Sequence, residues 1–285
     1  MMFWLLCSIS LAQEVVSNPE AKQRDLYQQW TNLSSEDHLA HIHDLQHSGR
    51  YEAAQQRLEY LLEQSPEHKF RYEYARNKEL MEEYEVSLSL YEELLTTAQQ
   101  LELMREISFR RAVVLSDMGQ HQRSIQAFRQ LKRAFSLSQS EQVAVALGLG
   151  ASEVLAGKNR RGSRRIQRAL KKLETPRQHS WLQARARYTL AQALLLKAHS
   201  IELMGPVEKM NEELQVRANL ILQAEQQITV VLQLDEPEYA LLGVLAVADA
   251  LLVLYDDLIA STPPASFTAG QMLLYRERMA AKGAF

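Results

Sequence analysis

Lys158, Arg160, Arg161, Arg164, Arg165, Arg168, Lys171 and Lys172 fall within fifteen residues that contain no Asp or Glu. Eight cations at this density exceed what solubility requires, so the chemistry they suit is contact with an anion. An acidic protein segment, a lipid or lipopolysaccharide head group, and nucleic acid all meet that description. The alternative is a solvated helix face that packs its stems on neighbours, or that meets the acidic N-terminal part of another copy. Nucleic acid fits least well. Single-strand and RNA binders interleave cations with stacking aromatics, and no Phe, Tyr or Trp lies between Phe135 and Trp181. The block also belongs to a wider segregation that the net charge of −3 hides. Residues 1–104 carry 18 acidic and 8 basic side chains, 105–177 carry 5 and 16, and 178–285 carry 12 and 8.

Other clusters promise less chemistry. His38, His41, His43 and His47 stand beside Asp37 and Asp44, and His43 and His47 are four apart, a spacing that can chelate a metal from one helix face. No third ligand follows in register, so these read as helix-surface histidines, and no metal or other cofactor is assigned. The single cysteine, Cys7, excludes an internal disulfide or a cysteine cluster. The sequence has no phosphate loop, nucleotide-binding glycine triplet or nucleophile elbow. Gly148-Leu149-Gly150 falls inside a helical pattern and suits close packing. The expectation is a non-enzymatic protein.

The elements that must carry these residues repeat. Gly49-Arg50-Tyr51-Glu52-Ala53-Ala54 is followed by Leu58, Leu61, Leu62 and Pro66. The pattern returns at Tyr84, Ser87, Tyr91, Leu94 and Leu95, then at Gly119, Ser124, Phe128 and Leu131, then at Gly157, Gly162, Ile166, Ala169 and Leu170. A glycine tolerates the left-handed turn that ends a first helix. Ala54, Ser87, Ser124 and Gly162 are small enough for a second helix to approach the first, and the apolar residues four, seven and eight positions on form its buried stripe. Seven residues before each turn stand Ile42, Ala75, Ala112 and Gly150, of which three are small. Each unit therefore reads as a helical hairpin, and the array as all-α.

This pattern resembles the tetratricopeptide repeat (TPR) over about 35–175. Gly49, Tyr51, Ala54 and Pro66 stand at that family's signature positions. Glu82 replaces the turn glycine in the second unit, Asn159 replaces the aromatic in the fourth, and the spacings of 33, 37 and 38 drift from the family's 34. The resemblance implies a right-handed superhelical solenoid of antiparallel helix pairs. It also implies a concave groove lined by first helices, with Tyr72, Arg76, Phe109, Arg185, Tyr188 and Gln192 as candidate contacts to a protein or peptide. Tyr72, Phe109 and Tyr188 could equally be interhelix packing. The basic block, on a second helix, is then expected on the convex face. The family's basic clamp for C-terminal carboxylates is missing, since Leu39 and His43 stand where Lys and Asn are needed.

The remaining segments complete the organisation. Residues 1–12 (MMFWLLCSISLA) read as a signal peptide ending in Ser10-Leu11-Ala12, although no Lys or Arg precedes the apolar run; a ragged N-terminus or a misplaced start codon is the other reading. Residues 13–34 form a polar linker, 35–176 four repeats, and 177–285 irregular helical hairpins. In that last part helices are expected from Trp181 to His199, about Glu212 to Leu234, Glu238 to Ala260 and Ser266 to Ala280, with breaks at Gly205-Pro206 and Thr262-Pro263-Pro264, making six hairpins in all. The apolar run 241–255 contains Asp249 and falls short of the ~20 uninterrupted residues of a span. It reads as a buried helix, in which Asp249 needs an Arg partner, or as a dimer contact. The functional expectation is a scaffold or adaptor of an exported, periplasmic or envelope-associated bacterial assembly. The alternative is a cytoplasmic regulatory repeat domain contacting peptide and nucleic acid.

Overall fold

The computed structural model describes residues 30–203, 207–260 and 267–283. The segment 1–12, most of the linker 13–34, and the breaks at Gly205-Pro206 and Thr262-Pro263-Pro264 lie outside the described residues. Twelve α-helices and no strand occur among those described: α1 (Ser35–His47), α2 (Tyr51–Gln64), α3 (His68–Leu80), α4 (Tyr84–Thr97), α5 (Leu101–Asp117), α6 (His121–Ala134), α7 (Gln139–Leu155), α8 (Asn159–Leu170), α9 (Ser180–His199), α10 (Val207–Leu232), α11 (Pro237–Ala260) and α12 (Ala269–Gly283). The class is all-α, with helices packed on their sequence neighbours. Contacts divide the chain into two units, Met1–Ile107 and Ser108–Phe285, and the division falls inside α5.

The four repeated turns are the same physical object. Gly49, Glu82, Gly119 and Gly157 have φ of 72°, 60°, 73° and 78°. In each turn, two backbone N–H groups reach back to orphan carbonyls of the preceding helix in the Schellman pattern. Gly49 donates to Gln46 and Arg50 to Leu45; Glu82 to Glu79 and Glu83 to Lys78; Gly119 to Ser116 and Gln120 to Leu115; Gly157 to Val154 and Lys158 to Glu153. Glu82 thus adopts the glycine conformation without being glycine, at a cost of roughly 1 kcal/mol.

The buried stripe follows the sequence period in all four second helices. Ala54, Ser87, Ser124 and Gly162 are buried, as are the residues four and seven positions on: Leu58 and Leu61, Tyr91 and Leu94, Phe128 and Leu131, Ile166 and Ala169. Their partners Ile42, Ala75, Ala112 and Gly150 are buried too. The approach is closest between α7 and α8, where a Cβ on Gly162 would lie 2.6 Å from the Gly150 carbonyl oxygen and 2.8 Å from the Val154 nitrogen. At the α5–α6 pair the Ser124 hydroxyl donates to the Ala112 carbonyl at 2.6 Å.

In the first unit, Ile42, Ala54, Leu58, Leu61 and Phe70 form the core of α1–α3, and the buried Tyr91 hydroxyl of α4 donates to Glu79 of α3 at 2.8 Å. The second unit has one core around Val143, Leu147, Ile166 and Leu190 and another, built by α9, α10 and α11, around Ala191, Leu195, Ile221, Ile228 and Ala250. Helices α9 and α11 match the sequence expectation to within a residue, whereas α10 and α12 differ from it at their ends. Helix α10 begins at Val207 rather than near Glu212, because nothing in the intervening residues breaks a helix, Met210 is buried and Lys209 pairs with Glu213. Asp249 of α11 is exposed and needs no buried partner; on this helix the acid that pairs with a buried arginine is Asp257, 2.5 Å from Arg217. Helix α11 buries Gly243, Ala250 and Leu258, and Asp249 lies roughly a third of a turn from that face.

Candidate anion-binding cleft

Helix α8 spends one narrow face on packing and leaves the rest to charge. Gly162, Ile166 and Ala169 are its buried residues. Arg161, Arg165 and Arg168 then recur at helical spacing along a flank that Lys172 continues, while Arg160, Arg164 and Lys171 sit further round. Arg160, Arg161, Arg164, Arg165, Arg168 and Lys172 line one cleft of about 920 Å³ together with Lys132 of α6 and Gln139, Gln142, Val143 and Ala146 of α7. The cations are thus walls of a concavity rather than a stripe facing solvent alone. None of the lining residues is acidic or aromatic.

A single buried acid organises part of the cluster. Glu153 of α7 is fully buried. Its carboxylate accepts from Arg165 Nε at 2.9 Å and Nη2 at 3.3 Å, and lies 3.0 Å from Arg161 Nε and 3.6 Å from Arg129 Nη2. Two of the eight sequence-defined charges are therefore compensated, through an acid five residues before Lys158. Lys158 donates to Gln122 at 2.9 Å. Arg160, Arg164, Arg168, Lys171, Lys172 and Lys132 are exposed and have no acidic partner among the described residues. The first turn of α7, capped by Ser138 and Glu141, brings Gln139 and Gln142 to the cleft, so the positive end of a helix dipole adds to the cationic field.

This arrangement can do a particular kind of chemistry. Guanidinium forks bind carboxylates or phosphates in bidentate fashion, and several exposed forks in one cleft bind a polyanion better than a single small anion. The cleft lacks the enclosed apolar walls of a small-molecule site. Lys132 was missed by sequence reading, yet a signal existed. It stands eight residues after Ser124, where Leu62, Leu95 and Leu170 stand in the other repeats.

No family model matches this chain, and no curated protein matches its sequence.

The candidate groove residues fall in two places. In the first unit, Tyr72 is buried with its hydroxyl donating to Glu106 at 3.1 Å, and Arg76 lies 3.7 Å from Glu73 on the same helix. In the second, Phe109 stacks edge-on against Phe128. Arg185 is buried, pairs with Asp117 and lies over Trp181. Tyr188 is half-buried against Tyr239 and accepts from Gln192 at 2.9 Å. Tyr72, Phe109, Arg185 and Tyr188 are thus engaged in packing or pairing within their own units.

Of the histidine cluster, His41 and His47 are exposed on α1 and His43 is half-buried, whereas His38 is packed inward. His38 is buried against Trp30 and Tyr60. Arg57 Nε, a donor only, points at its Nδ1 at 3.0 Å, so Nδ1 accepts and Nε2 donates to the Trp30 carbonyl at 3.2 Å. Burial, with the Arg57 charge behind it, holds the His38 pKa below its usual value. His43 lies 3.5 Å from Glu73. Among the described residues no group of three or more His, Cys, Asp or Glu is placed to hold a metal ion.

Proposed function

We propose that the protein is a non-enzymatic adaptor, built on TPR-like repeats in a right-handed superhelical solenoid, that holds an acidic protein segment in the α6–α8 cleft. The observation that carries this reading is the convergence of seven cationic side chains on one open cleft with no acid among its lining residues. Four near-identical Schellman turns, each followed by a small buried residue, support the repeat assignment. An acidic polypeptide is preferred to nucleic acid because the cleft offers no aromatic on which a base could stack. The apolar residues 1–12 support export to a bacterial periplasm or envelope. No helix among the described residues is long and apolar enough to cross a membrane.

The test is fluorescence anisotropy with a labelled Glu-rich peptide, competed by single-stranded DNA of equal charge. The proposal expects saturable peptide binding that DNA displaces no better than unlabelled peptide. Displacement by DNA at much lower concentration, or no peptide binding at low salt, would overturn it.

A further inference from the structure

Helix α11 is apolar on both sides; it packs on α9, α10 and α12, and one side stays exposed. Gly243, Ala250 and Leu258 are buried, and Ala246, Val247 and Leu254 pack on the core formed with α9 and α10. A Cβ on Gly243 would lie 2.5 Å from Ile228 Cδ1, so this contact is close. On the other side Leu241, Leu245 and Leu252 are 62%, 57% and 64% exposed, and Val244, Leu251 and Ile259 are exposed beside them. At about 100° per residue, these six share one face with Ala248 and Tyr255. The face is some 27 Å long, from Leu241 to Ile259.

We infer that this face pairs with the same face of a second copy of the chain. Three observations select that occupant. The first is period: Leu241, Ala248 and Tyr255 are seven apart, as are Val244 and Leu251, with Leu245, Leu252 and Ile259 widening the seam. A seven-residue apolar repeat is the pattern that suits knobs-into-holes packing on another helix of the same kind. Such a patch is self-complementary about a two-fold axis.

The second is charge. Helix α11 carries Glu238, Asp249, Asp256 and Asp257 and no Lys, Arg or His. An amphipathic helix that lies on an anionic bilayer places cations on its polar side, so the acids here oppose a membrane surface. At a protein interface, exposed acids such as Asp249 and Asp256 form a solvated rim. The third is area. Six large apolar side chains, each about half exposed, present on the order of 400 Å² per copy. Two copies with their rims reach about 1,000 Å², where specific interfaces begin. This inference does not depend on the basic cleft.

Sedimentation equilibrium of the full-length chain tests it. The expected result is a dimer at micromolar concentration that Leu245→Glu/Leu252→Glu converts to monomer. Self-association should weaken at least about a hundredfold, because each seam would then have to bury carboxylates. Both sites are solvent-exposed, so helical circular dichroism should be unchanged; Ala248→Glu serves as a second variant should the double one misfold. Leu196→Glu on α9, at an equally exposed leucine, should remain dimeric. A monomeric wild type, as expected if the chain's own residues 1–12 cover the face, would overturn the inference. So would folded Glu variants that still dimerise, or dissociation by Leu196→Glu.

Discussion

Helices α8 and α11 solve the same packing problem and then diverge. Each brings a glycine to its neighbour, Gly162 to Gly150 and Gly243 to Ile228, and each buries a narrow stripe. The face left over is cationic on α8 and aliphatic on α11. Packing therefore constrains roughly a third of each helix, and the free face reflects what it meets. Arginine forks in a cleft favour a charged, exchangeable partner whose affinity depends on salt. A wide leucine seam favours a partner that brings its own apolar surface.

The most severe way to break the comparison is to destroy the packing on one side only. Gly162→Val forces side-chain atoms against the α7 backbone, and overpacking of this kind costs about 3 kcal/mol. Urea denaturation should show that loss, with anion binding lost alongside it. A Gly162→Val protein of wild-type stability would mean that the α7–α8 approach is looser than described.

Glu153→Gln should separate stability from binding. Removing a buried carboxylate from three arginines should destabilise by about 2 kcal/mol, part of the penalty for breaking a buried ion pair. It also frees Arg161 and Arg165, so the acidic peptide should bind more tightly, by a few-fold in the same titration. Parallel losses in stability and affinity would instead make Glu153 a support for the cleft's shape.

Salt sharpens the contrast more gently. Raising KCl from low to physiological concentration should weaken peptide binding several-fold, because exposed charges are screened. Dimerisation through α11 should hold, and sulfate should strengthen it. Equal sensitivity of the two equilibria would argue against the division between a charged and an apolar face.

The smallest effect lies in the first unit, remote from both helices in sequence. The neutral form of His38 is favoured in the fold, so its contribution to stability is present above the unfolded histidine pKa. It is lost as pH falls through the lower folded value. Melting should therefore shift down modestly between pH 7 and 5, and less in His38→Gln. An equal shift in both proteins would place the acid sensitivity elsewhere.

Much of this was legible in the sequence because it rests on local rules. The turn glycines, the small residues after them and the stripe at four and seven positions all follow from helix period and left-handed backbone geometry. Even Glu82 was placed correctly in the turn slot, because register outweighs one substitution. The charge of the cleft was legible too, but its shape was not. Cleft formation depends on α6 and α7 facing α8, which pulls Lys132 and Gln142 into a site that no linear run contains. Glu153 lay just outside the acid-free block, and its role needed three helices in place. Arg217 and Asp257, forty residues apart, form a pair that no spacing rule could find, and Asp249 was assigned that need instead. The groove candidates fared as aromatics and buried arginines often do in helical cores: Tyr72 and Arg185 found partners within their own units.

Charge reversal probes the central claim most directly. Lys132→Glu/Arg164→Glu/Arg168→Glu alters three exposed cations that make no ion pair among the described residues and leaves Glu153 with its arginines. In anisotropy titrations at low salt, the wild type should bind the Glu-rich peptide and not a Lys-rich one. The variant should lose the first by at least about tenfold, ~1.4 kcal/mol, and gain the second. If both proteins bind the Glu-rich peptide equally, the cleft is a solvated surface and the adaptor reading built on it fails.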